Sequence, residues 1–263
     1  MRFLLYLNPI ISFVIIAAIS IVVSYVGLKL VRRKFPHEYL KEHHEVAGII
    51  FNAIELIYAV LVAFVVFATW GSFDEAEKNI EMESNKLSDL FLDASAFPDS
   101  VRKEIRVGIA DYTQAIIEDD WPAMQKQEKA PSEVINKLRK VWTSYMKING
   151  REINNPQMYS ESIRQINNMS EFRRLRWLDS KKSTPEVIWL FLIVGAIASV
   201  VFTFFLGTKH LKAQYMMTSV LAIINGMVLY LIYILDHPFI GINAISDESF
   251  RTILNMFQHM LGR

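Results

Sequence analysis

The chain has 263 residues, is 52% hydrophobic with a mean hydropathy of +0.23, carries a formal net charge of +1 and contains no cysteine. A near-neutral balance argues against a nucleic-acid partner, because phosphate binding needs a clustered positive surface. Without cysteine there are no disulfides and no thiolate chemistry, and the strongest metal ligands are missing.

Phe3 to Leu28 carries no charge. A helix rises about 1.5 Å per residue, so about 20 apolar residues cross a hydrocarbon layer of about 30 Å. One basic residue, Arg2, precedes the stretch and no small-residue cleavage site follows it, so it reads as a retained anchor. Lys29, Arg32, Arg33, Lys34 and Lys41 follow in a short loop that closes the first region, 1–45. His37, Glu38, His43, His44 and Glu45 gather there. His43, His44 and Glu45 are weak candidates for a metal or a pH-sensing cluster. Adjacent histidines point about 100° apart on a helix, and no H-x3-H or HExxH spacing is present, so a wet interfacial cluster is the competing reading and no cofactor is expected.

Val46 to Trp70 carries a single charge, Glu55, and forms the second span, 46–70. Gly48, Asn52, Glu55, Ala59, Val62, Val66 and Thr69 recur at steps of four and three. The register continues through Phe73, Ala76, Ile80, Glu83, Leu87, Leu90 and Ala94, with no proline before Pro98. This predicts one helix over 46–95 that runs on past the membrane, with Gly71-Ser72 as a point where it can bend.

A polar insert, 71–186, follows. Val101, Ile105, Ile109, Tyr112 and Ile116 form one helical stripe, ending near Trp121-Pro122. Val134, Leu138, Val141, Tyr145 and Ile148 form the next, ending at Asn149-Gly150, and Tyr159, Ile163, Ile166, Met169, Phe172 and Leu175 the last. Residues 71–133 hold 15 acidic and 7 basic side chains, whereas 134–186 hold 5 and 11. Opposite halves suit an attracting helical bundle, or else are the solvated faces of ordinary amphipathic helices. Glu118-Asp119-Asp120-Trp121-Pro122 groups acids at a helix end, where they oppose the helix dipole. Asp120 and Trp121 are therefore candidate site residues, although the ligand order of an EF-hand is absent.

Thr184 is placed to cap a third span opened by Pro185. Val187 to Thr208 and Ala213 to Leu235 are uncharged and make the third and fourth spans, 187–235. Asp236-His237-Pro238-Phe239-Ile240-Gly241 is a turn at the interface. Ser246 then caps a closing helix with Phe250, Ile253, Leu254, Phe257 and Leu261 on one face, completing 236–263. That face suits the membrane surface or the underside of the bundle.

The fold class is an all-α membrane protein with four transmembrane helices and a helical bundle inserted between the second and third, continuous with the second. Positive residues in short loops stay cytoplasmic. The loop lysines and arginines, with Lys209 and Lys212, thus predict both termini and 71–186 on the periplasmic side of a bacterial inner membrane. Arg173, Arg174, Arg176, Lys181 and Lys182, on the insert side of the third span, pull the other way.

Glu55 is the sharpest functional candidate, since an ionisable residue at mid-membrane usually faces a cavity or a polar partner. Either the stripe lines an ion path in an oligomer, or a protonated Glu55 is bonded to Asn225 or a tyrosine as structural glue. Expected partners are the bilayer, further copies of the chain and inorganic ions. A sensor or scaffold acting through a partner protein is the alternative. No phosphate loop, nucleophile elbow or kinase signature supports an enzyme.

Several segments carry a resemblance. His44-Glu45-Val46-Ala47-Gly48, the run Ile57 to Val66, Phe73-Asp74-Glu75-Ala76, Glu118 to Pro122 and Asp236 to Gly241 resemble the bestrophin-like domain family of bacterial and plant membrane proteins, over roughly 40–250. The resemblance implies a relation to bestrophins, oligomeric anion channels with four spans and a cytosolic helical domain, and implies that the second span lines a central pore. Glu55 departs from the small residue implied there, and a ring of carboxylates favours cations.

Overall fold

The computed structural model describes residues 2–35, 44–148, 156–206 and 210–263. These are helical in chain order: α1 (Pro9–Lys34), α2 (His44–Asp93), α3 (Asp99–Ala115), a π-helical turn (Ile116–Asp120), α4 (Trp121–Gln125), α5 (Ser132–Met146), α6 (Pro156–Asp179), α7 (Glu186–Phe205), α8 (Leu211–Leu235) and α9 (Glu248–Leu261). Four of them, α1, α2, α7 and α8, are long and apolar enough to cross a membrane. The residues divide into two compact units, Met1–Ser72 with Ser183–His237 and Phe73–Lys182 with Pro238–Arg263.

In the first unit α1 opens with Pro9 at its first turn and the Asn8 side chain accepting from the Ile10 N–H at 2.9 Å. Lipid offers helices little hydrophobic reason to associate, so close approach at small residues and hydrogen bonds must do it. Both occur. A methyl group on Gly226 of α8 would lie 2.8 Å from Ile16 of α1, and the ring of Tyr58 of α2 rests directly on Gly195 of α7. Tyr58 also donates its hydroxyl to Leu192 O at 3.2 Å, and Phe51 stacks on Phe202 with centroids 5.4 Å apart. Val65, Leu192 and Ile232 form a small apolar core between α2, α7 and α8. Where α1 and α7 end, Arg32 donates to Gln214 Oε1, and Gln214 Nε2 donates to Thr203 O at 3.0 Å and Leu206 O at 2.7 Å. One side chain of α8 thereby satisfies terminal carbonyls of α7 and ties α1 to both.

The expected cap of the third span takes another form. α7 begins at Glu186, with Pro185 as its unassisted cap. Thr184 turns instead to Asp236, which accepts its backbone N–H and its hydroxyl, both at 2.6 Å. With its hydroxyl proton committed to that carboxylate, Thr184 anchors the start of α7 to the end of α8.

The second unit closes around Ala76, Ile80, Leu87 and Leu90 of α2, Ile105, Ile109 and Tyr112 of α3, Val134 and Val141 of α5, and Ile166 and Met169 of α6. The stripes predicted for α3, α5 and the part of α2 from Phe73 on are buried or half-buried against this core, whereas in α6 the predicted Phe172 and Leu175 are only half-buried and Arg173, Arg176 and Trp177 are buried beside them. α9 belongs to this core: Phe250 and Phe257 are fully buried, and Phe257 stacks on Phe91 with centroids 4.2 Å apart. Its end is a left-handed Gly262, φ 70°. Pro122 does not end a helix. It lies in a helical run that continues from α3 through the π-helical turn into α4, and the widened turn before it makes room for its ring.

Candidate functional site

Along α2 the stripe proposed from the sequence divides. Asn52 and Ala59 are exposed, and nothing lies within 4 Å of the place where a Gly48 side chain would be. Val62 and Val66 are half-buried and pack on the Val65, Leu192 and Ile232 core. Thr69 is buried, its hydroxyl donating to Val65 O at 2.9 Å and Val66 O at 3.1 Å. The uncovered part of the stripe is therefore its N-terminal half.

Glu55, half-buried, stands within that uncovered half, between Asn52 and Ala59. It lines a groove of about 760 Å³ together with Ala59 and Val62 of α2 and Leu221, Asn225 and Val228 of α8. Its Oε2 is removed from solvent and has no hydrogen-bond partner. Asn225 donates to Ser199 Oγ at 3.3 Å, so the two residues share a groove while Asn225 is turned toward α7. The rotation of α2 is set by Tyr58, pinned at both its ring and its hydroxyl. A buried carboxylate oxygen left unpaired costs of the order of 1–3 kcal/mol, and such groups mark places where a helix meets a cation, water or another polar surface.

In the second unit the acidic run does not gather. Glu118 is exposed and accepts from Gln114 Nε2 at 2.8 Å, whereas Asp120 is fully buried. The π-helical turn adds a residue to the helical period and brings Asp120 inward. There it accepts from Arg173 Nη2 at 3.3 Å, Arg176 Nη2 at 3.2 Å and Trp177 Nε1 at 3.1 Å. Arg176 also forks onto Glu83, at 2.7 and 3.1 Å. Two acids from the acid-rich half thus meet two arginines from the basic half. Burial works against the Arg176 charge, but the attraction and hydrogen bonds of Glu83, reinforced by Asp120, outweigh it and hold the guanidinium above its ordinary range. Burial, then the neighbouring Glu83 charge, pushes the Tyr112 hydroxyl well above its usual range. Arg173 and Arg176 were legible only as basic residues near a span. The available signal was Glu83, a charge in an apolar register that needed a buried partner.

His43 lies outside the described residues, as do the side chains of His44 and Glu45 at the start of α2. Asp236 also accepts from Trp189 Nε1 at 3.4 Å, which makes it a junction of α7 and α8.

The model of the bestrophin-like domain matches residues 18–250. The chain belongs to the bestrophin-like domain family. Among solved structures, this bestrophin-like chain is similar to a bacterial bestrophin homologue from Klebsiella pneumoniae phased on zinc, with 11% identity, TM-score 0.73, and 95% of this chain and 98% of that chain covered. A point variant of that homologue gives TM-score 0.75 at 11% identity, over 97% of this chain and 98% of that one. At such identity the likeness is one of fold. No curated protein matches the sequence significantly. Two of the segments that carry the family resemblance touch one another: Trp121 meets Phe239 edge-on at 5.8 Å. The chain then turns through Gly241 at φ 94°, a conformation that favours glycine.

Proposed function

We propose that this bestrophin-like membrane protein assembles as a homo-oligomer and conducts inorganic ions along a path lined by its second span. The observation that carries this reading is Glu55: an ionisable side chain in mid-span, its Oε2 buried and unpartnered, beside an apolar groove and next to the uncovered Asn52 and Ala59. Carboxylates are costly in hydrocarbon and are kept where they face a cavity or a polar neighbour. Family membership supports it, because the resemblance to bestrophins implies an oligomeric channel. Repeated around an axis, Glu55 forms a ring of negative charge that favours cations. The 71–186 segment then serves as a vestibule or gate continuous with the second span, and the short-loop charges support a periplasmic position for it.

The test is ion flux from purified protein in liposomes. Wild type is expected to pass cations in preference to anions, and Glu55→Gln to lower that preference several-fold while flux persists. Unchanged selectivity removes Glu55 from the path. The sensor reading is favoured by one feature, the single helix of 50 residues that begins in the second span. Stable co-purification of a partner protein without any flux would support it instead.

A further inference from the structure

The end of the first unit where α1 stops and α8 begins is basic. Lys29, Arg33, Lys34 and Lys212 are all exposed there. Tyr25 stacks on Tyr215 with centroids 4.9 Å apart, and Lys29 Nζ lies 5.6 Å from the centre of the Tyr25 ring. Arg32 has a different task, since it donates to the buried Gln214. Residues 3–35 and 187–235 contain no Asp or Glu, so α1 and α8 supply no acid to this rim, and the one acid of α7, Glu186, stands at its other end. Glu38, Lys41, Glu42 and Lys209 fall in segments outside the described residues, as does the side chain of Glu45 at the start of α2.

The apolar helix fixes the depth of these groups. Phe3–Leu28 is uncharged and the first cation follows at Lys29, one turn beyond Tyr25. Tyrosines at the edge of the hydrocarbon with cations just outside them occupy the level of lipid phosphates. Lys29 is steadied over an aromatic face, and Arg33 presents a fork of donors that matches a phosphodiester.

We propose that this rim binds the headgroups of anionic phospholipids of the phosphatidylglycerol class, with Arg33, Lys34 and Lys212 on the phosphates and Lys29 held at the tyrosine pair. The proposal does not depend on which leaflet the rim faces, nor on the pore reading.

The test places the full-length protein in bilayers of equal phosphatidylglycerol and phosphatidylcholine, and counts the lipids retained after gentle extraction by native mass spectrometry. Phosphatidylglycerol is expected to be enriched, and the joint Lys29→Gln, Arg33→Gln, Lys34→Gln and Lys212→Gln variant to cut the enrichment at least about threefold. Loss of loop charge can hinder insertion, so the wild type supplies a second measurement. Raising salt from about 0.1 to about 1 M shortens the screening length from about 10 to about 3 Å and is expected to lower the enrichment. Millimolar inorganic phosphate is expected to displace nothing. Equal retention of the two lipids, an undiminished variant, insensitivity to salt, or displacement by free phosphate would each overturn the proposal.

Discussion

Glu55 and Tyr58 sit three residues apart on α2 and meet opposite surroundings. Tyr58 is fixed at both ends, by Gly195 under its ring and Leu192 O at its hydroxyl, while Glu55 Oε2 is buried with nothing to accept from. Gly195→Val is expected to lower the thermal midpoint in detergent, at a cost of about 1–3 kcal/mol, because the pinned ring cannot retreat. Gly48→Val, facing open space, is expected to leave it nearly unchanged. In the second unit Arg176→Ala leaves Glu83 and Asp120 buried without their shared partner, and is expected to cost about 3–5 kcal/mol by denaturant unfolding. Asp179 offers a pH test. It accepts from Asn79 Nδ2 at 2.8 Å, and burial, aided by the nearby Glu75, raises its pKa. A raised carboxyl binds more protons folded than unfolded, so its contribution to stability is complete below the unfolded pKa and is lost as pH rises through the folded value. Asp179→Asn is therefore expected to be more stable than wild type at pH 7, with the gap closing toward pH 4 in thermal melts; a gap that widens on acidification contradicts this.

Among the elements, the helices were legible wherever burial recurs with the helical period. Ile105, Ile109 and Tyr112 of α3, and Val134 and Val141 of α5, are core residues because a 3.6-residue period keeps them on one face. The π-helical turn was not legible, since no residue type announces an inserted position, and so Asp120 read as part of an exposed acidic run. Asp120→Ala leaves Arg173 and Arg176 with Glu83 as the remaining buried carboxylate beside them, and is expected to destabilise the fold more than Asp119→Ala in the same turn; proteolysis rates of the two variants decide it. Pro122 misled for a related reason, because a proline reads as a stop unless a widened turn precedes it. α9 was legible as amphipathic but not in its destination. Its apolar face meets Phe91 and Trp121, and Phe257→Ala is expected to cost about 3–5 kcal/mol.

For the whole molecule, hydropathy alone carried the four spans, because lipid admits only segments that satisfy their own backbone. It could not say how each span is rotated. That depends on contacts such as Tyr58 on Gly195, and it determines that Val62, Val66 and Thr69 turn toward neighbours while Asn52 and Ala59 do not. The pore reading consequently rests on the uncovered N-terminal half of the stripe. A chain without cysteine allows this to be tested directly. Single cysteines at Asn52 and Ala59, and at the exposed apolar Ile57 and Phe64 as controls, would be treated with a charged thiol reagent during flux in liposomes. Reaction and block at Asn52 and Ala59, with Ile57 and Phe64 inert, is the predicted result. Inert Asn52 and Ala59 in a conducting protein would contradict a path lined by the second span.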